Sequence, residues 1–177
     1  MLGIRVSGTI ILVLLVGCAT AERKLVHPEA WTEPHEGVAV LKGGLRIGSK
    51  TFDLPTTEAG LSDVLGSPDR TVGEANRILV WDRLGIFAYQ DLKSHSIDAL
   101  SISFTCEEAD FCPKHAFPGV LVVGNAVFWH APDARDIVRN HFRADELACY
   151  RNVGRYEVSV DCMAAGPGLG TFEIALK

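Results

Sequence analysis

The chain of 177 residues predicts an α+β fold of two tandem repeats, each a helix packed on a small antiparallel sheet in the order strand, helix, three strands. An internal match comes first: "LRIGSKTF" at 45–52 lines up with "LVVGNAVF" at 121–128, pairing Leu45 with Leu121, Ile47 with Val123, Gly48 with Gly124 and Phe52 with Phe128. Each copy is followed by a proline and then by apolar residues at helical spacing. Beyond each helix the apolar period drops to two, the spacing of a half-buried strand. Agreement in both residues and element order is the mark of an internal repeat.

In chain order, residues 1–17 read as an export signal, with Arg5 as its positive start and "TIILVLLVG" as an apolar stretch too short to span a bilayer. Leu15, Val16 and Gly17 before Cys18 resemble the lipobox of bacterial lipoproteins, which implies cleavage after Gly17 and acylation of Cys18. Acyl chains hold a protein to a membrane without a spanning helix, each buried methylene contributing roughly 0.8 kcal/mol. Ala19 and Thr20 stand where lipoproteins kept at the inner membrane tend to carry an aspartate, so the resemblance points to the periplasmic face of the outer membrane. Residues 18–43, polar and interrupted by Pro28 and Pro34, read as a lipidated tether.

The first repeat spans 44–105. Leu61, Val64 and Leu65 form one helix face, and Gly66 and Pro68 end that helix. "RILVWDRLGIFAYQ" reads as two strands around Arg83 to Gly85, and "ALSISF" as a third. A linker at 106–118 leads to the second repeat at 119–177. There Asp133 is an N-cap candidate supported by Asp136, and Ala134, Ile137, Val138 and Phe142 share a face. "ACYRNVGRYEVSV", turning at Asn152 to Gly154, and "GTFEIAL" supply the closing strands.

Net charge is −5, with 47% hydrophobic and 22% charged residues, which is ordinary globular composition and too acidic for a nucleic-acid binder. Besides Cys18 the chain holds Cys106, Cys112, Cys149 and Cys162, an even set that suggests two disulfides in an exported protein. Of the possible connectivities, closeness in sequence favours Cys106 with Cys112 and Cys149 with Cys162, each bridge contributing roughly 2 to 3 kcal/mol in the chain-entropy model. A tight turn at Asn152 to Gly154 would set Cys149 opposite a residue near Val158, short of Cys162.

Reactive constellations are missing from the pattern. Ser49 lacks the second glycine of a nucleophile elbow, and Ser101 and Ser159 sit inside alternating strands. The six histidines are scattered, no metal-ligand spacing occurs, and Glu107, Glu108 and Asp110 do not follow a calcium-loop pattern. "GPGLG" at 166–170 precedes no helix or lysine, so it is not a phosphate cradle. The reading is therefore a non-enzyme with no cofactor and no metal. Trp81, Arg83 and Tyr89 are residue types that anchor protein interfaces, and they are the candidate partner-binding residues.

"DVLGSPDR" at 63–70 followed by "ILVWDRLGIFAYQ" resembles an uncharacterised bacterial lipoprotein domain with the pattern L-G-x-P-D-R and then W-D-x-L-G-I-F-A-Y. More distantly the helix ending in G-x-P and its following strands are similar to the small SmpA/OmlA-type lipoprotein of outer-membrane β-barrel assembly, and the two-repeat arrangement to the β-lactamase inhibitor protein. These resemblances imply a protein that binds proteins in the cell envelope and catalyses nothing. The expectation is an outer-membrane-anchored periplasmic protein-binding module, an envelope accessory or scaffold factor; the alternative is an immunity protein or inhibitor that covers the active site of a toxin or hydrolase.

Overall fold

The computed structural model describes residues 37–74, 76–105, 109–129, 134–144, 148–161 and 169–177. Their elements are β1 (Gly37–Leu41), β2 (Gly44–Ile47), β3 (Lys50–Phe52), α1 (Glu58–Leu65), β4 (Arg70–Val72), β5 (Arg77–Trp81), β6 (Ile86–Gln90), β7 (Ile97–Ser103), β8 (Val120–Val123), β9 (Ala126–Phe128), α2 (Ala134–His141), β10 (Arg143–Ala144), β11 (Cys149–Val153), β12 (Tyr156–Val160) and β13 (Thr171–Leu176). They form a five-stranded sheet in the order β3-β2-β1-β8-β9 and an eight-stranded sheet in the order β10-β11-β12-β13-β7-β6-β5-β4.

This is a mostly β architecture, which corrects the expectation of two α+β repeats. Neither half closes a sheet of its own. β1 runs parallel to β8, with Val38 opposite Leu121 and Val40 opposite Val123, and β7 runs antiparallel to β13, with Leu100 opposite Ile174. Both sheets are thus continuous across the halves. The physical reason lies in the helices. Each has eight residues, about two turns, which is too little to cover the inner face of a four-stranded meander. The apolar face of one sheet is covered by the other sheet instead, and each helix fills a corner between them. α1 buries Leu61, Val64 and Leu65, is capped by the Thr57 hydroxyl accepting from the Gly60 amide at 3.2 Å, and is tied to β5 by the Arg77–Glu58 ion pair at 2.9 Å. α2 packs between β9 and β11. The proposed cap Asp133 lies outside the described residues.

The stretch read as a tether contains β1, the middle strand of the small sheet. "GVAVL" is buried on both faces, so it shows a continuous apolar run instead of alternation. The inter-sheet core joins Val38, Val40, Leu45, Leu121 and Phe128 of the small sheet to Leu79, Trp81, Leu100, Ile102, Val158, Phe172 and Ile174 of the large one. A chain of rings runs through it: Phe117 on Phe104, Phe104 on Phe172, Phe172 on Phe128 and Phe128 on Phe142, with centroids 4.9 to 5.8 Å apart.

Two hairpin turns lock the halves reciprocally. The β5–β6 turn places Gly85 at φ 64° against the backbone of Phe117, just before β8. The β11–β12 turn places Gly154 at φ 61°, where an added Cβ would lie 2.7 Å from the Lys42 carbonyl, just before β2. Beside it the buried Tyr156 donates its hydroxyl to Asp53 at 2.7 Å, and Arg155 closes the triangle at 2.9 Å from the same carboxylate. Because this turn falls at Gly154 and Arg155, Cys149 lies opposite Val160, two residues nearer to Cys162 than a turn at Asn152 to Gly154 would put it.

Candidate functional site

The segments "LGSPDR" and "WDRLGIF" interlock residue by residue. The Trp81 indole donates to the Gly66 carbonyl at 2.7 Å, where Gly66 ends α1 at φ 82°. The Asp69 amide donates to the Val80 carbonyl at 2.8 Å, and its carboxylate faces the Arg83 guanidinium at 3.5 Å. Arg70 reaches both oxygens of Asp82, with Nε 3.0 Å from Oδ2 and 3.2 Å from Oδ1. This motif is a clamp that fixes the end of α1 and β4 to the β5–β6 hairpin.

The clamp also holds the segment that follows β7. Arg70 donates to the carbonyls of Asp110 and, at 2.7 Å, of Cys112, while Asp82 accepts from the Lys114 amide at 3.0 Å. Burial pushes the Asp82 carboxyl up, but the bonds from Arg70 and the Lys114 amide, with the charges of Arg70 and Lys114, outweigh it and hold the group below its ordinary value. The chain held in this way lays Phe111 on the outer face of the large sheet. Its ring sits 5.5 Å from Phe87 and 6.4 Å from Tyr89, which themselves meet edge to face at 5.8 Å. Ile78, Val80 and Val72 complete this second apolar cluster, separate from the inter-sheet core.

The outer face continues from Phe87 to Ser101, Glu173, Ser159, Tyr150 and Arg143 across successive strands. The parallel row runs from Tyr89 through Ala99 and Ala175 to Glu157 and Asn152. Tyr89 and Phe111 are half-buried, and Glu173 is exposed. Burial, and next the charge of Glu173, push the Tyr89 hydroxyl above its usual value. The face therefore presents the rings of Tyr89 and Phe111 at one end, Ala99 and Ala175 in the middle and the carboxylates of Glu173 and Glu157 beyond them, while Phe87 and Ser101 are buried within it.

The three candidate anchors do not come together. Trp81 is 1% exposed and points into the inter-sheet core, so its placement on a contact surface is corrected. It sits opposite Ile86, the last pair before the turn, and shares the inward face with Leu79. Arg83 projects from the turn with a side chain 84% exposed, and Tyr89 lies on the outer face. Phe111, within the linker expected at 106–118, lies on the outer face where Trp81 was expected; an isolated aromatic in an acidic stretch gives no periodic signal. Cys112 and Cys149 are disulfide-bonded, and Cys18, Cys106 and Cys162 lie outside the described residues. Among the described residues no group of three His, Cys, Asp or Glu side chains could hold a metal ion, and no helix is long and apolar enough to cross a membrane.

No curated protein matches the chain. Among solved structures it is similar to a DUF4309 family protein (YjgB) from Bacillus subtilis, at 14% identity and a TM-score of 0.39, over 69% of this chain and 79% of that one. The model of a domain of unknown function, DUF7738, matches residues 37–137, a span that runs from β1 through both halves of the clamp and the hairpin β8–β9 into α2. With more than half of its length matched, the chain belongs to the DUF7738 family.

Proposed function

We propose that this protein is anchored through an acylated Cys18 to the periplasmic face of the bacterial outer membrane and works there as a non-catalytic protein-binding module, an accessory or scaffold factor of the envelope. The leader that ends at Gly17 supports the anchor. In an oxidising compartment the same reading pairs Cys106 with Cys112 and Cys149 with Cys162. The observation that carries the binding role is the outer face of the eight-stranded sheet, where half-buried Tyr89 and Phe111 stand beside exposed Glu173. Aromatic anchors bordered by charge are the composition of an interface core and rim. An apolar segment carrying a Lys or Arg would match it.

A photo-crosslinking side chain at Tyr89, in living cells, is the test. An envelope protein should be captured from that position and not from exposed Thr51 on the other sheet. Phe111→Ala should cut the yield by at least about tenfold, as loss of one aromatic anchor does. Cys18→Ser should release the protein from the outer-membrane fraction. Equal capture from both positions would overturn the binding face, retention of Cys18→Ser in that fraction would overturn the anchor, and a toxin or hydrolase as the single captured species would establish an inhibitor instead.

A further inference from the structure

Four carboxylates are held by arginines of the same chain: Asp53 by Arg155, Glu58 by Arg77, Asp69 by Arg83 and Asp82 by Arg70. Glu157 and Glu173 differ. Among the described residues neither makes an ion pair or a side-chain hydrogen bond. Glu157 of β12 stands opposite Ala175, and Glu173 of β13 stands opposite Ser159. The two are therefore diagonal neighbours on the outer face, about 7–8 Å apart, and like charges at that spacing repel. The fold does not call for them: Glu173 is exposed and Glu157 half-buried, and Ser159 and Thr171 occupy the adjoining outward positions of the same strands.

Next to this pair the surface is low. Ala175 and, on β7, Ala99 continue the row from Glu157 to Tyr89, and each carries only a methyl group. Past them stand the rings of Tyr89 and Phe111, with centroids 6.4 Å apart and planes tilted by 57°. The result is a floor two strands wide, walled by rings on one side and by two carboxylates on the other. The walls are in electrostatic contact across it, since the charge of Glu173 acts, after burial, to push the Tyr89 hydroxyl up.

We propose that this floor seats an arginine side chain of the partner protein, its stem against Tyr89 and its guanidinium donating to both Glu157 and Glu173. An apolar residue beside that arginine rests on Phe111. The inference depends on the binding face proposed above and narrows its ligand from a cation of either kind to one. A guanidinium carries five donors in a planar fork that serves two carboxylates together, whereas an ammonium is a point charge that settles on one. It is also the more weakly hydrated cation, and it stacks on an aromatic ring.

The test titrates two capped dipeptides, acetyl-Leu-Arg-amide and acetyl-Leu-Lys-amide, into the full-length protein in neutral detergent micelles, followed by NMR at the Ala99 and Ala175 methyls. Saturable shifts at both methyls are expected with the arginine peptide. The lysine peptide should bind about threefold more weakly, the loss of one partly exposed charged contact. Glu157→Gln and Glu173→Gln should each weaken the arginine peptide about threefold, and together about tenfold. Both positions face outward, so the inter-sheet core is untouched by either change. No saturation by the arginine peptide, or equal binding of the two peptides, overturns the seat. Photo-crosslinking from Tyr89 in cells separates this failure from that of the face itself. Capture at full yield in the Glu157→Gln/Glu173→Gln double variant overturns the arginine seat and leaves the face standing, while no capture from Tyr89 overturns both.

Discussion

Asp82 is 5% exposed, and its carboxylate is shared by Arg70, the Lys114 amide and, at 3.7 Å, the Lys114 ammonium. Its depressed pKa makes it stabilising in one pH window. The folded state holds the proton less tightly than the unfolded chain, so the contribution is complete above the ordinary value of 3.8 and is lost as pH falls through the lower folded value. Asp82→Asn should therefore cost about 3 kcal/mol at neutral pH, the low end for breaking a buried pair because Arg70 keeps partial solvent contact. In urea titrations the variant should also lose less stability than the wild type between pH 5 and pH 3; parallel losses would show that another carboxylate governs acid sensitivity. At this scale the sequence reveals residue types better than directions. Trp81 and Tyr89 both look like anchors, yet a four-residue turn separates their strands, and strand parity cannot be carried across a turn whose length is unknown. The partner of Asp82 was equally illegible, because Arg70 and Lys114 approach it from elements distant in the chain.

Glycines test the elements, because two of them share a positive φ and differ in what surrounds them. Gly66, at φ 82° and ψ 175° in a region open essentially to glycine alone, has nothing within 4 Å of an added Cβ, so Gly66→Ala should cost only the backbone term, about 1–3 kcal/mol. Gly85 at φ 64° would drive its Cβ into the Phe117 backbone, so Gly85→Ala should cost several kcal/mol more, since the turn and the chain before β8 must separate. Urea midpoints of the two variants measure the difference, and equal costs would mean that the reciprocal turn contact is not tight. The elements themselves were largely legible. Leu61, Val64 and Leu65 face the core from α1, and the alternating stretches become β5, β6, β7, β11, β12 and β13. β4 and β10 escaped notice because three and two residues are too few to show a period, and β1 because burial on both faces erases it.

At the level of the whole molecule, the sheets cannot be divided. Residues 44–105 hold β2 to β7 but lack β1, the neighbour of β2, and β13, the neighbour of β7. That fragment should show no cooperative urea transition by circular dichroism, while the full chain shows a single one; an independently folding fragment would restore the picture of self-contained halves. The shared sheets are not legible in the sequence, because a two-residue period identifies a strand without naming its neighbour, and the helical spacing does not show that helices of eight residues are too short to roof a sheet of their own. The parallel pairing of β1 with β8 has a further effect on how the molecule is born. A ribosome releases Gly37–Leu41 first, and Val120–Val123 follow only after the first hairpins, α1 and four of the eight strands of the large sheet have been made. Until then the apolar "GVAVL" has an antiparallel partner on one side and an open backbone edge on the other, the kind of edge that joins nascent chains to one another. Keeping that edge guarded until the second half arrives is a task for whatever escorts the chain to its destination.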